Sequence, residues 1–475
     1  MFKNKEGILS GVFKYSIATW INLIMGFLSM ILMTRLIPPD IYGQLCIFYS
    51  VTNVLMYIIA FGMDGALIRF YNEPPGNNTR QQLLYKNIIY ELFICFVLGI
   101  ISIFIFGNFL SKEIFSIVSK TLIGLVYIQS ISMLILRNLN ISFRMSFRAK
   151  QYTIQNILTT NLSRFCVIIA ALLCQDTEFI ICILVISTVV LLLPYLYIQR
   201  KEFIPYNKQG NIKWSLSTNG YWEYLKFSFY SAPSYIINYL NIYVGQQVIV
   251  STVGAYGLGI YSSTAMFNHI LTAIYGGFST FWSAYVYKNY KNKQEKISEM
   301  HNYVVLTAIL ILSMMIVSRD IIYLFIGEQY HESKNFYSLL MIMPILMFVS
   351  ETTSKGIAIA KKNHISMIIT ILGATINVAL CIYFSQQWGL RGAAIANAVS
   401  ALVLYMLNTY FGQRYYKSIL SRSMSFVGIS CIICLALIAF FIKNILWIII
   451  GVLITDMLAC LFFRQQIITI IKNIQ

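Results

Sequence analysis

Charge is what this chain has least of. Only 11% of its 475 residues are Asp, Glu, Lys or Arg, less than half of the ~25% usual in a soluble globular domain. With 58% hydrophobic residues and a mean hydropathy of +0.71, the polar side chains are too few to clothe a water-exposed surface, which excludes a soluble fold. Acids are scarcer still, 17 against 35 bases. A net charge of +18 can serve nucleic acid only if Lys and Arg cluster on a soluble face. Here they fall in short segments between apolar runs, so no nucleic-acid partner is expected and positive-inside topology explains them.

A disulfide framework is also missing. The nine cysteines stand singly inside apolar runs such as LFICFVLG and GISCIICLALIAF, without framework spacing. Cys431 and Cys434 form a CxxC, but no His or further Cys accompanies them, so neither a metal nor a redox role is expected. The first apolar run ends at Arg35 without a small-residue cleavage site and reads as a retained span, not a signal peptide. The longest connections, about 199–222 and 319–335, leave no room for a soluble domain. A Walker A loop and a nucleophile elbow are absent, and His269, His301, His331 and His364 are not spaced as a metal site. No enzyme and no cofactor are expected, and without an ATPase domain transport energy must come from gradients or a partner.

What is abundant is apolar stretches near the ~20 residues that cross a bilayer. Fourteen are found, roughly 12–34, 41–66, 86–109, 121–142, 153–173, 178–198, 223–251, 256–286, 300–318, 336–358, 364–385, 391–412, 424–442 and 445–463. With the N-terminus inside, the inner segments carry 24 Lys and Arg and the outer ones 7. That asymmetry favours an all-α, polytopic protein of about fourteen transmembrane helices with both ends cytoplasmic.

The stretch MTRLIPPDIYGQ (33–44) is then the turn between spans 1 and 2. Pro38 and Pro39 cannot continue a helix, and Gly43 permits a tight entry into the next. Placing Gly43 over Gly259 in VGAYGLGIYSS also aligns Asn22 with Asn238, Asn53 with His269 and Tyr71 with Tyr287. Six spans separate the copies, an even number, so two parallel lobes are expected: 1–213 (spans 1–6) and 214–415 (spans 7–12), with 416–475 adding spans 13 and 14. In transporters built this way the site lies between the repeats near the midplane.

Polar residues at helical spacing mark candidate faces: Ser16, Thr19, Asn22, Gly26 and Ser29 in span 1; Ser231, Ser234, Asn238, Asn241 and Gly245 in span 7. Small residues of this kind also serve close helix packing, but Asn22 and Asn238 match across lobes and need partners at depth. Span 5 carries Thr153, Asn156, Thr160 and Ser163 with Arg164 beside them, about 16 Å along the helix from Thr153 at ~1.5 Å per residue. Snorkelling does not reach that far. A base at such depth costs at least ~2.5–3.5 kcal/mol, so a water-facing functional role is its default reading and an internal ion pair the alternative. Arg137 lies in span 4. Glu351 and Lys355 in span 10 are four apart and face each other, either as a neutral pair or as substrate contacts. Span 2 ends in FGMDGALIRFY, with Asp64 and Arg69 near the cytoplasmic rim. Glu91 and Asp456 are further intramembrane acids, fit to hold a proton or sodium ion or to pair with a base.

At this point four motifs stand out in order: TRLIPPDIYGQ, GMDGALIRFY, VGAYGLGIYSSTA and WGLRGAAIANAVS. Together, over about residues 8–415, they resemble the polysaccharide transporters of the multidrug/oligosaccharidyl-lipid/polysaccharide (MOP) exporter superfamily, particularly the O-antigen flippases called Wzx. The loop LLCQDTEFIIC departs from the resemblance in lacking the GAA-like turn seen before span 12. The resemblance implies a V-shaped, two-lobed bundle in the bacterial inner membrane. It would flip an undecaprenyl-diphosphate-linked oligosaccharide to the outer leaflet by alternating access through a cationic cavity, in lipopolysaccharide or related glycan synthesis. Substrate-binding candidates are Arg164, Arg137, Lys355, Asn22, Asn238 and Arg69; Glu351, Asp64 and Asp456 are candidates for H+ or Na+ coupling. Beyond membrane lipids, a polysaccharide polymerase and chain-length machinery are the expected partners. The competing readings are a lipid II flippase, a multidrug exporter, which should prefer acids and aromatics at depth, and a membrane oligosaccharide polymerase or ligase, which should carry a sizeable catalytic loop.

Overall fold

A computed structural model describes residues 21–76, 78–146, 148–204, 221–360 and 362–468. Ser16 and Thr19, and the side chains of Ser231, Ser234 and His269, lie outside the described residues. Helix is the only regular secondary structure among those described. Nine of these helices are long and apolar enough to cross a membrane, ten if one bent pair counts as a span. One of the nine, His364–Tyr415, has 52 residues. At ~1.5 Å per residue this is about 78 Å, more than twice the ~30 Å hydrocarbon thickness. It is broken at Gly389 (φ 55°, ψ −132°).

Backbone contacts divide the chain into two compact units, Met1–Gln247 and Val248–Gln475. The first holds α1 (Ile21–Leu36), α2 (Pro39–Ala60), α3 (Met63–Phe70), α4 (Arg80–Ile100), α5 (Gly107–Phe115), α6 (Lys120–Met145), α7 (Ala149–Leu173), α8 (Thr177–Ile198), α9 (Arg200–Phe203) and the first part of α10 (Tyr221–Ser263). The division falls within α10, whose beginning supplies core to the first unit. Tyr224 is fully buried and its hydroxyl donates to the Met63 carbonyl (2.9 Å), and Tyr239 stacks on Tyr57 at 4.2 Å.

Local chemistry sets the ends of these helices. Pro38 is extended and Pro39 occupies the start of α2, where a missing N–H costs nothing. Thr79 and Gln82 close a reciprocal capping box on α4. Between α2 and α3 the chain breaks: Phe61 (φ 41°) and Gly62 (φ 75°) both take positive φ, a conformation that is strained for an aromatic residue. The stretch 41–66 is therefore not one continuous helix.

Along α4 the polarity is inverted relative to a soluble helix. Phe93 and Phe96 are 65% and 67% exposed, whereas Asn87 and Glu91 are fully buried. Apolar side chains outside and polar ones within suit a lipid surround, since lipid offers polar groups no partner.

The second unit continues α10 and adds α11 (Ala265–Asn289), α12 (Gln294–Val317), α13 (Arg319–Tyr323), a 3-10 segment (Glu328–Asn335), α14 (Tyr337–Leu340), α15 (Ile342–Thr353), α16 (Lys355–Ile359), α17 (Asn363–Tyr415), α18 (Arg422–Phe441) and α19 (Ile445–Phe462). The motif VGAYGLG breaks α10 at Gly254 (φ 87°, ψ 174°), which only glycine adopts without strain. The motif WGLRGAA breaks α17 at Gly389, and a Cβ there would lie 3.9 Å from Val253, so the two breaks are neighbours. At the other crossing, Gly356 meets α17 backbone to backbone: a Cβ on it would lie 2.1 Å from the Gly412 carbonyl oxygen, and one on Gly412 2.0 Å from that of Thr353. Buried His301 of α12 joins Thr352 of α15 (2.7 Å) and Ser425 of α18 (2.9 Å). The Cys431 and Cys434 thiols are both free.

Candidate functional site

In the first unit the intramembrane charges separate into two settings. Arg137 projects from α6 with one guanidinium nitrogen on the Asp64 carboxylate (2.7 Å) and the other on the Tyr57 hydroxyl (2.7 Å). The guanidinium also lies 5.1 Å from the centre of the Tyr57 ring, within cation–π range. Tyr57 is stacked by Tyr235 and Tyr239. Asp64 is only 2% exposed, whereas the Arg137 side chain keeps 37% of its surface open. Arg137 is thus held in an ion pair with one open side. Helix spacing does not indicate it, because the partners sit on helices far apart in sequence.

Next to this pair lies Glu91, fully buried. It accepts from Asn87 (3.2 Å) and Asn138 (2.7 Å), and the Tyr224 hydroxyl lies 3.1 Å from the Asn87 side-chain oxygen. Sequence reading singled out neither asparagine, although Asn87 precedes Glu91 by four positions and Asn138 adjoins Arg137. Asp64 Oδ1 and Asn138 Oδ1 are buried without a hydrogen-bond partner among the described residues.

Arg164 has a different environment. Well inside α7 and half-buried, it donates to the Asn22 carbonyl (3.3 Å) and the Asn161 side-chain oxygen (3.4 Å). Asn22 binds Asn156 at 2.6 Å and receives a bond from Asn161 at 2.7 Å, which knits α1 to α7. Gly26, one turn beyond Asn22, leaves room for the guanidinium; a Cβ there would lie 3.1 Å from it. The ionisable groups that act on Arg164 are Tyr49 and Tyr42 of α2, and no carboxylate pairs with it among the described residues.

In the second unit Lys355 pairs with Glu351 and donates to Ser283 (2.8 Å). Glu351 also accepts from Ser279 (2.6 Å) and Tyr275 (3.3 Å) of α11. Asp456 accepts from Ser313 (2.6 Å). Asn238 is exposed, and Arg69 forms an exposed ion pair with Glu73 (3.1 Å). The structure thus brings together Arg137 with Asp64, Arg164 with Asn22, and Lys355 with Glu351. It leaves Arg69, Asn238 and Asp456 apart from these clusters.

Residues 8–287 match the family model described as polysaccharide biosynthesis protein. The chain belongs to the polysaccharide biosynthesis protein family. The match covers more than half of the sequence and takes in both the Arg137–Asp64 pair and Arg164. Among solved structures, the lipid II flippase MurJ in an inward closed conformation is similar over 95% of this chain and 99% of its own, with 18% identity and a TM-score of 0.69. A multidrug resistance MATE family transporter of the MOP superfamily, inward-facing, is similar over 85% and 97%, with 15% identity and a TM-score of 0.57. No curated protein sequence is significantly similar to the chain. This member of the polysaccharide biosynthesis protein family therefore has the multi-span helical fold that MurJ and MATE transporters share.

Proposed function

We propose that the chain is a flippase, not an enzyme, carrying an undecaprenyl-diphosphate-linked oligosaccharide, such as an O-antigen repeat unit, across the bacterial inner membrane to its outer leaflet by alternating access. The observation that carries this reading is Arg164: a base well inside a spanning helix, fixed by an amide and a carbonyl and, among the described residues, left without a carboxylate partner. Neutral acceptors do not neutralise a guanidinium, and a charge at membrane depth marks a ligand pathway. A diphosphate loses much on leaving water, and Arg answers its oxygens with paired, charge-assisted hydrogen bonds. With the cell interior negative, moving about two negative charges outward gains roughly 4–5 kcal/mol at ~100 mV, so the membrane potential drives export of such a cargo. Membership in the polysaccharide biosynthesis protein family supports a glycan cargo over a drug.

Lipid II is the second reading, because its cargo also bears a diphosphate and MurJ shares the fold. Cells carrying Arg164→Ala are expected to lose surface glycan while the protein's membrane abundance stays near wild type, and Arg164→Lys is expected to retain part of the display. Normal glycan display in Arg164→Ala removes Arg164 from the transport path. Loss of cell-wall synthesis with intact surface glycan favours lipid II.

A further inference from the structure

The Arg137–Asp64 pair differs from an ordinary internal ion pair in two respects. Its two halves are unequally enclosed: Asp64 is almost entirely covered, whereas more than a third of the Arg137 side chain is open. It is also incomplete, since Asp64 Oδ1 has no hydrogen-bond partner among the described residues. A guanidinium has five N–H donors. An anion can therefore approach Arg137 from its open side while Asp64 remains enclosed.

We propose that the diphosphate of the cargo replaces Asp64 as the partner of Arg137, and that Asp64 then takes up one proton from water on its unpartnered oxygen. This rests on the flippase reading above and adds to it the means by which cargo binding is coupled to a cation. The groups facing Asp64 set the balance. Arg137 of α6 is its only base among the described residues; Glu91 of α4 is a second buried acid that acts on it through space. Tyr57 of α2 and Tyr224 of α10 add only neutral hydroxyls, as does Tyr239, which is bonded to Tyr57. Once Arg137 turns to the cargo, the enclosed Asp64 carboxylate is left without its base, and because an uncompensated buried charge is costly, a bound proton restores neutrality. Linkage requires the reciprocal effect: protonation of Asp64 frees Arg137 and tightens cargo binding.

The test uses the full chain in lipid nanodiscs, with farnesyl diphosphate as probe and inorganic pyrophosphate as the headgroup alone. Proton uptake is followed with an indicator dye in weak buffer, and affinity is measured against pH. The wild type is expected to take up about one proton per diphosphate bound and to lose affinity about tenfold per pH unit on the alkaline side. Asp64→Asn is expected to bind at least as tightly with that proton and that slope gone, and Asp64→Glu to restore both. The probe's own titration is common to all variants and cancels in the comparison. Binding without proton uptake by the wild type overturns the exchange whatever the variants do, as does an equal slope in wild type and Asp64→Asn, or a dependence on sodium at fixed pH in place of protons. Failure of the wild type to bind either probe overturns the cargo reading itself.

Discussion

Gly412→Ala opposes helix propensity to packing, and the two predict opposite signs. Gly412 lies inside α17, where alanine is favoured over glycine by ~1 kcal/mol, so propensity alone makes the variant more stable. The crossing with α15 and α16 reverses this. A Cβ on Gly412 would lie 2.0 Å from the Thr353 carbonyl oxygen, whereas carbon and oxygen in contact stand about 3.3 Å apart. The helices must then separate by about 1.3 Å. A radial gap of 0.5–1 Å already forfeits a quarter to a half of each dispersion contact, and overpacking of this kind costs ~1–3 kcal/mol, more than the propensity gain. The expected net result is destabilisation of up to about 2 kcal/mol, seen as a fall of several degrees in the apparent Tm of the purified protein in detergent. Gly245→Ala is the matched control, because a Cβ there meets nothing within 4 Å; it is expected to hold or raise the Tm. A Gly412→Ala protein at or above the wild-type Tm would refute the backbone crossing and with it the placement of Gly356 against α17.

Glu91→Gln keeps one acceptor for Asn87, and Asn138, whose Oδ1 has no partner among the described residues, can turn its amide to accept from the new NH2, so the variant is expected to be tolerated. Glu91→Ala, by contrast, leaves the Asn87 and Asn138 amides without their acceptor, at ~1–3 kcal/mol for each buried group left unpaired; thermal unfolding of the two variants side by side separates these outcomes. Gly254→Ala forces a side chain into a positive-φ turn and is expected to cost ~1–3 kcal/mol, read as lower yield and Tm, while a harmless substitution there would mean that the α10 break is not fixed. Burial raises the Asp320 carboxyl, but hydrogen bonds and charge from Lys334 and Arg319 more than offset this and hold it below its ordinary value. With the folded value depressed, its contribution is present above the ordinary carboxylate value of ~3.9 and is lost as pH falls through the folded value. Asp320→Asn is therefore expected to show its effect on hydrogen exchange of the 319–335 segment at neutral pH and to converge with wild type in strong acid. Because Asp320 is partly exposed, that effect is expected to be under ~1 kcal/mol.

Much of the helical layout was legible because lipid imposes a simple code: apolar runs of bilayer length, with proline and glycine where they stop. The motif glycines and prolines fall where such a code needs them, Pro39 at the first turn of α2 and Gly254 and Gly389 at the breaks in α10 and α17. The Glu351–Lys355 pair was also open to sequence reading, since residues four apart share a helix face. Tertiary partners were not. Nothing local in α6 announces that Arg137 will meet Asp64, and the donors to Glu91 became visible only once α4 and α6 lay side by side. The break at Phe61 escaped reading because an aromatic residue gives no signal of positive φ; only Gly62 beside it hinted at one. Arg164 stood out as an anomaly of depth, and Asn161 three positions before it shares its helix face, but the Asn22 carbonyl that also holds it required the packing of α1 on α7.

The imidazole of His301 gives the last two helices a different standing from that of an appendage. Its two nitrogens are engaged from opposite sides, one by Thr352 and one by Ser425, so the terminal hairpin supplies half of what satisfies a polar ring sealed from water. Ending the chain after α17 would strip that ring of its second partner and uncover the apolar flank of α12 at the same stroke. The hairpin of α18 and α19 thus completes the polar pairing of the second unit, and in a relative lacking it an apolar residue in place of His301 would be the natural compensation.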